Sequence, residues 1–400
     1  VSVHLPCFRS NEFRLHNERV INAWLKKYED NQIFMEVICR VAINQGDICL
    51  DPKGIPLFFI HQDTYDREWC CCARCQQGFQ DYLQPKYCSI NKLNQTLETN
   101  FTDFGNIALP AYPYPGRNFD SPGALWFDAM QFWTEGVLGW KNGIVNEVKK
   151  FFPDASISPI TKYPFSPLLT DFKYLSKGGK LFYSDSYPME SGFDWNLLRY
   201  LYTVEVYQSA AKQNGQILVP HLQGFENPLP KSPTRAPTIP EFKQQHIGLL
   251  ARGLTSNLTC SFNLRVDLAD SQGKLLPSDE TKEIVEIWHK TLKKIEELLE
   301  NTTEYAKTVV LRYNPRSLCS MTKAQELFRE YEQWKSRGVP VRVVWDDNSA
   351  QPDIPSSFEF SLTEDATDWE MFIRKDKDKD RYLVFLTNLS NKTREGTLSV

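Results

Sequence analysis

Along residues 14–28, RLHNERVINAWLKKY, the apolar positions Val20, Ile21, Trp24 and Leu25 recur at helical spacing and predict one buried helix face. The run IFMEVICRVAI at 33–43 is apolar between polar flanks and reads as a strand. Asp51-Pro52-Lys53-Gly54 is turn chemistry, and Pro56 to Ile60 is extended. Helical spacing returns at 76–97 and again from Ser121 to Phe152. In the second stretch Trp126, Phe127, Phe132, Trp133, Trp140 and Val148 make an aromatic core face.

Short strands then alternate with helices. Strands are predicted at Ala155 to Ile160 and Lys180 to Asp185, a helix at 194–213, and a strand from Ile217 to Val219 that leads to His221. Asn227 to Pro240 holds five prolines, which marks a long loop of the kind that carries function. A helix from Glu241 to Leu254 feeds a strand from Leu258 to Arg265. This alternation argues for an α/β fold.

Residues 279–300 form a helix with Ile284, Ile287, Trp288, Leu292, Ile295 and Leu299 on one face. Strand-like Thr308 to Leu311 follows. Next comes a helix opened by the capping box Thr322-x-x-Gln325 and closed by Gly338, and then a strand from Val339 to Trp345. Together they make a βαβ unit. Trp369 to Arg374 and Tyr382 to Leu386 read as a hairpin whose tip, the charge alternation Lys375 to Asp380, is solvated.

Four hundred residues, 41% of them hydrophobic, suffice for one large domain with appendages. Ten Trp, seventeen Tyr and twenty-five Phe supply platforms for sugar rings, and serve equally as core. A net charge of −4 gives no basic field for nucleic acid, and no apolar run approaches a membrane span. The chain begins at Val1 with no signal-peptide pattern, so either a leader was removed or it starts inside a longer product. Six N-x-S/T sequons, at Asn94, Asn100, Asn257, Asn301, Asn388 and Asn391, are read as chance in an Asn- and Thr-rich chain.

The densest chemistry is Cys70-Cys71-Cys72-Ala73-Arg74-Cys75, which contains C-x-C-x-x-C. Thiols so close do not pair in relaxed disulfide geometry but converge on one soft metal ion, and tetrahedral Zn2+ is its natural occupant. An all-sulfur shell makes such a metal structural. The competing reading is a trio of buried, reduced cysteines. A thiolate zinc site also points to a reducing compartment, the cytoplasm.

The cysteines lead into Phe79, Tyr82-Leu83, Lys86-Tyr87 and then Leu93-Asn94, Thr99 and Phe101. This order resembles the family 42 glycoside hydrolases, the bacterial β-galactosidases built on a (β/α)8 barrel. There, C-x-C-x-x-C precedes F-x-x-W/Y-L, then K/R-Y-G, then L-N-x-x-W-G-T-x-F. Here Cys88 stands at the first glycine, and Leu97-Glu98 replace Trp-Gly. Phe182 to Pro188 resembles the family's strand ending in D-x-Y-P, and Phe262 to Arg265 its F-x-W-R strand.

The resemblance implies a barrel over residues 1–303, with its first one or two βα units absent or replaced. It also implies a reduced flavodoxin-like unit at 304–350, a small C-terminal β domain at 351–400, and the homo-oligomers such a unit builds. It implies Zn2+ on Cys70, Cys72, Cys75 and an upstream cysteine: Cys7, with Cys39 and Cys49 competing.

A retaining barrel of this kind needs two carboxyl groups about 5 Å apart and no catalytic cofactor. The proton donor belongs in an N-E pair ahead of the cysteines, where this chain has Gln62-Asp63; Asn44-Gln45 competes. The nucleophile belongs seven residues past the arginine of F-x-W-R, where this chain has Gln272. Asp63 is therefore assigned as acid/base, with Asp270 or Asp267 as nucleophile and Glu226 as a further carboxylate nearby. Each is also readable as a solvated loop acid. Gln62, Asp185, Tyr187 and His221 are the expected partners of a carbohydrate substrate. A catalytically silent sugar-binding relative is the alternative that the glutamines at 45 and 272 suggest.

Overall fold

In the computed structural model the described residues are 9–27, 36–37, 72–110, 123–151, 156–157, 160–161, 181–184, 187–189, 195–224, 237–254, 259–262, 264–269, 275–277, 298–314, 321–346, 348–362, 366–389 and 398–399, with isolated positions between 282 and 295. The chain divides into two compact units. One is Val1–Phe182 with Asn214–Gln216 and Pro315–Gln325; the other is Tyr183–Gln213 with Ile217–Asn314 and Glu326–Val400.

In the first unit the elements are α1 (Asn11–Lys27), β1 (Glu36–Val37), α2 (Ala73–Tyr87), α3 (Ile90–Leu97), α4 (Gly123–Phe151), β2 (Ser156–Ile157) and β3 (Ile160–Thr161). β1 and β2 pair in parallel. The helical stretch expected at 76–97 is two helices. α2 stops at Cys88, which is left-handed at φ 60°, and Ser89 then caps α3 by accepting the Lys92 N–H. α3 ends the same way, with Glu98 at φ 53°. Its last turn is closed by Asn94, whose Nδ2 donates to the Phe101 carbonyl at 2.8 Å and whose Oδ1 accepts from Thr99 Oγ1 and the Phe101 N–H. The core packs Phe79, Leu83 and Leu93 against Phe132 of α4, with Phe79 and Phe132 edge to face at 5.5 Å. Each such fully buried side chain contributes roughly 2 kcal/mol.

β4 (Leu181–Ser184) runs across the division at Phe182 and Tyr183, and the second unit holds α5 (Leu197–Gln213), β5 (Ile217–Val219), β6 (His221–Gly224), α6 (Ile239–Ala251) and β7 (Thr259–Phe262). β6 and β7 pair in parallel with α6 between them, one βαβ repeat. The start of α6 corrects the sequence reading. The helix opens two residues early, at Ile239 rather than Glu241, because Thr238 and Glu241 form a reciprocal capping box and Pro240 fits the first turn. The rest of the expected proline loop, through 236, lies outside the described residues, as do Asp51 to Ile60.

β8 (Leu264–Ala269) and β9 (Leu275–Pro277) form an antiparallel pair. The described positions between 282 and 300 are helical, as expected. After β10 (Thr302–Glu304) comes the expected βαβ unit: β11 (Val309–Tyr313), α7 (Met321–Ser336) and β12 (Val341–Trp345), with the strands parallel. A second correction concerns its helix. α7 already includes Met321 and Thr322, so Thr322 is helical and is not the cap. Gly338 ends it at φ 69°, and a Cβ there would meet the Leu362 carbonyl at 2.6 Å. β13 (Ser361–Leu362) and β16 (Leu398–Ser399) pair, and β14 (Trp369–Asp376) with β15 (Tyr382–Asn388) is the expected hairpin; its tip is exposed at Lys377 to Asp380, but Asp376, expected to be solvated, is buried at the end of β14.

Candidate active site

Of the sequence-assigned residues, Gln62, Asp63, Asp185, Asp270, Cys7 and Cys70 lie outside the described residues. So do the competitors Gln45, Glu226, Gln272, Cys39 and Cys49. Asp267 belongs to strand β8.

Tyr187 and His221 come together. Their rings stack at 5.5 Å and 15°, and Tyr187 Oη and His221 Nδ1 share a hydrogen bond of 3.0 Å. Pro220 lacks an N–H and separates β5 from β6, placing His221 first in the new strand. The strand is then fixed from its helices. Tyr200 of α5 donates to the His221 carbonyl at 2.5 Å, and Gln245 of α6 donates to the same carbonyl at 3.0 Å. Gln245 also accepts the Gln223 N–H at 3.1 Å, so one amide satisfies residues i and i+2 as a neighbouring strand would. The Gln223 side chain accepts the Met189 N–H at 3.0 Å, tying the turn after β4 to β6. Gln223 and Gln245 are fully buried. A phenol and an imidazole held this way can present a paired donor and acceptor to a hydroxyl group. Sequence reasoning named Tyr187 and His221 but missed both glutamines, whose letters carry no motif.

Two thiols of the cysteine run are described. Cys72 is the exposed N-cap of α2, and Cys75, in the first helical turn, is 2% exposed. Thiolates at a helix N-terminus are favoured by its unsatisfied N–H groups, which is the chemistry a thiolate metal site needs, although Cys72 is exposed and Cys75 is buried. Among the described residues no three potential ligands gather in one place.

The lysine and tyrosine of the K-Y pair have a separate explanation. Lys86 Nζ donates to Asp128 Oδ1 at 2.7 Å and Tyr87 Oη to Asp128 Oδ2 at 2.5 Å, clamping a fully buried carboxylate of α4. Gln76 and Gln80 of α2 bond the 105–109 backbone, for example Gln76 Nε2 to the Ile107 carbonyl at 2.7 Å. The motif thus docks α2 rather than supplying chemistry.

No curated protein matches the chain. Three solved β-galactosidases share its architecture. The enzyme of the psychrophilic Marinomonas ef1 superposes with a TM-score of 0.56 at 14% identity, over 85% of this chain and 54% of that one. That of Bacillus circulans sp. alkalophilus gives 0.58 at 15%, over 86% and 50%. That of the Antarctic haloarchaeon Halorubrum lacusprofundi gives 0.57 at 16%, over 88% and 53%. The chain spans about half the length of these structures. Likeness at this identity defines the class: an α/β protein of the TIM-barrel type. The sequence pattern of glycoside hydrolase family 42, described as beta-galactosidase, matches residues 54–261, over half the chain, and the chain belongs to that family. Among the described residues no helix is long and apolar enough to cross a membrane.

Proposed function

We propose that the protein is a retaining glycoside hydrolase acting on terminal β-galactosides or related β-glycosides. The observation that carries this is the family match over residues 54–261, which takes in Asp63, the cysteine run, Tyr187 and His221. In this reading Asp63 protonates the leaving-group oxygen, and Asp270 or Asp267 attacks the anomeric carbon to give a glycosyl-enzyme. Asp63 then deprotonates the water that releases the sugar. Gln62, Asp185, Tyr187 and His221 hold sugar hydroxyls. A structural zinc on Cys70, Cys72, Cys75 and Cys7 (or Cys39 or Cys49) fixes the start of α2, which suits a reducing compartment such as the cytoplasm. The 304–350 unit is read as a shortened flavodoxin-like domain that supports oligomers, and 351–400 as a small β domain.

A second reading, a silent carbohydrate-binding relative, is favoured by Gln272 at the expected nucleophile and by the shorter Asp63 at the expected glutamate. A one-methylene displacement of the acid costs about a hundredfold in rate. Incubating the purified chain with an aryl β-galactoside separates the two. Turnover with the β-anomer of galactose released first supports the hydrolase. Calorimetric galactose binding without turnover supports the silent relative, and neither binding nor turnover rejects both.

A further inference from the structure

Away from the candidate site, the second unit buries an ion cluster that the proposed hydrolysis does not use. Arg252, just past the end of α6, has a fully buried side chain, and one of its nitrogens, Nη2, lies 2.5 Å from Glu205 Oε1 of α5 and 2.5 Å from Glu370 Oε1 of β14. Both carboxylates are 5% exposed at the side chain. Glu205 Oε2 accepts the Val343 N–H of β12 at 2.7 Å, and Tyr331 Oη of α7 lies 3.1 Å from Glu370 Oε1 and 3.4 Å from Glu205 Oε1. Lys335, one turn further along α7, is 4% exposed and faces Glu370, Glu332, Asp368 and Arg252. Tyr202, on Glu205's own helix, is fully buried and faces Glu205 and Glu330. Five elements therefore meet on one guanidinium shared by two acids.

Two buried carboxylates on one guanidinium nitrogen hold like charges side by side in a medium that screens them poorly. A proton on one of them relieves that repulsion, and the titration then belongs to the pair. We propose that the Glu205–Arg252–Glu370 cluster is a proton-dependent interlock, closed while Glu205 is a carboxylic acid and loosened at β14 when it ionises. On ionisation the Glu205 O–H bond breaks and its proton passes to water, leaving Glu205 and Glu370 to repel across the guanidinium. Glu370 sits on β14, whereas Glu205 lies within α5 and Arg252 caps the end of α6, so the strain falls on that strand. Burial is the largest cause pushing the Glu205 carboxyl up to about 7, against the pull of Arg252 and with Glu370 adding to it. Lys335 is pushed down to about 8 by its own burial, so its proton leaves at higher pH.

Hydrogen exchange of the β14 amides, corrected for intrinsic rates and referred to β11, tests this on the full chain at pH 5.5 and pH 7.5. Wild-type protection is expected to fall about tenfold or more as pH rises, because the closed form holds the Glu205 proton more tightly than the loosened one by about that factor. Glu205→Gln, which stays neutral, is expected to be flat, while Lys335→Met keeps the fall. Infrared spectra at pH 5.5 are expected to show a carboxylic-acid band that Glu205→Gln removes. If that variant does not fold, Glu370→Gln serves instead: with the rival charge gone, Glu205 ionises at lower pH and the band weakens. Flat wild-type protection, an undiminished fall in Glu205→Gln, or a carboxylic-acid band unaffected by both variants overturns the proposal.

Discussion

Cys88 and Glu98 are the two non-glycine residues with left-handed backbone among the described residues. They are also the two places where the chain departs from the glycines of the K-Y-G and W-G-T motifs it otherwise resembles. The backbone demand has therefore outlasted the residue that meets it without strain. A side chain in this region costs about 1–2 kcal/mol, part of which glycine returns through the entropy of its unfolded chain. Cys88→Gly and Glu98→Gly are each expected to stabilise the protein by roughly 0.5–1 kcal/mol, read as a rise in urea midpoint at constant slope. A lowered midpoint would mean that the Cys88 thiol or the Glu98 carboxylate makes a stabilising contact that outweighs the strain. At this scale the sequence was partly legible. The missing glycines were visible as substitutions, but only the φ angles show that both positions are helix ends.

Elements with a strong period were read well, and those fixed by single side chains were not. The βαβ unit of β11, α7 and β12 and the hairpin of β14 and β15 follow from their apolar patterns. The split of 76–97 into two helices depended on Ser89 and Asn94, and the early start of α6 on Thr238, polar residues whose partners are local and carry no periodicity. Gln245 lies deeper still, since its role is to stand in for a strand that cannot be inferred from its own neighbours. The start of α2 is where the proposed metal would act. If zinc joins Cys72 and Cys75 to the other thiolates, metal analysis after exhaustive dialysis will find about one equivalent, and chelation will expose the first turn of α2 to exchange. Less than about a tenth of an equivalent rejects the site and leaves Cys75 as a core thiol among Phe79 and its neighbours.

For the whole molecule, two buried groups act on stability in opposite directions over the same pH range. Glu205 is raised from 4.5 to about 7, chiefly by burial, so its stabilising contribution is full below 4.5 and lost as pH rises through 7. His246 is 1% exposed and lowered from 6.5 to about 4 by burial, so its contribution is full above 6.5 and lost as pH falls through 4. Each effect is worth about 3 kcal/mol, so between pH 4.5 and 6.5 they nearly cancel. The wild-type slope of unfolding free energy against pH is expected to lie between those of two variants, His246→Phe being shifted toward a fall with rising pH and Glu205→Gln toward a climb. Equal slopes in all three proteins would contradict this assignment. The barrel class and the family were legible from the order of short motifs, because that order survives when the letters drift. The catalytic pair was not, because Gln62-Asp63 and Gln272 stand where the family's acids are expected. The measurement that bears most directly on the account is therefore turnover of an aryl β-galactoside by wild type and Asp63→Asn side by side. The account predicts measurable wild-type hydrolysis that drops by about a hundredfold or more in the variant, the scale of a lost general acid. Hydrolysis that continues unchanged in Asp63→Asn would contradict it.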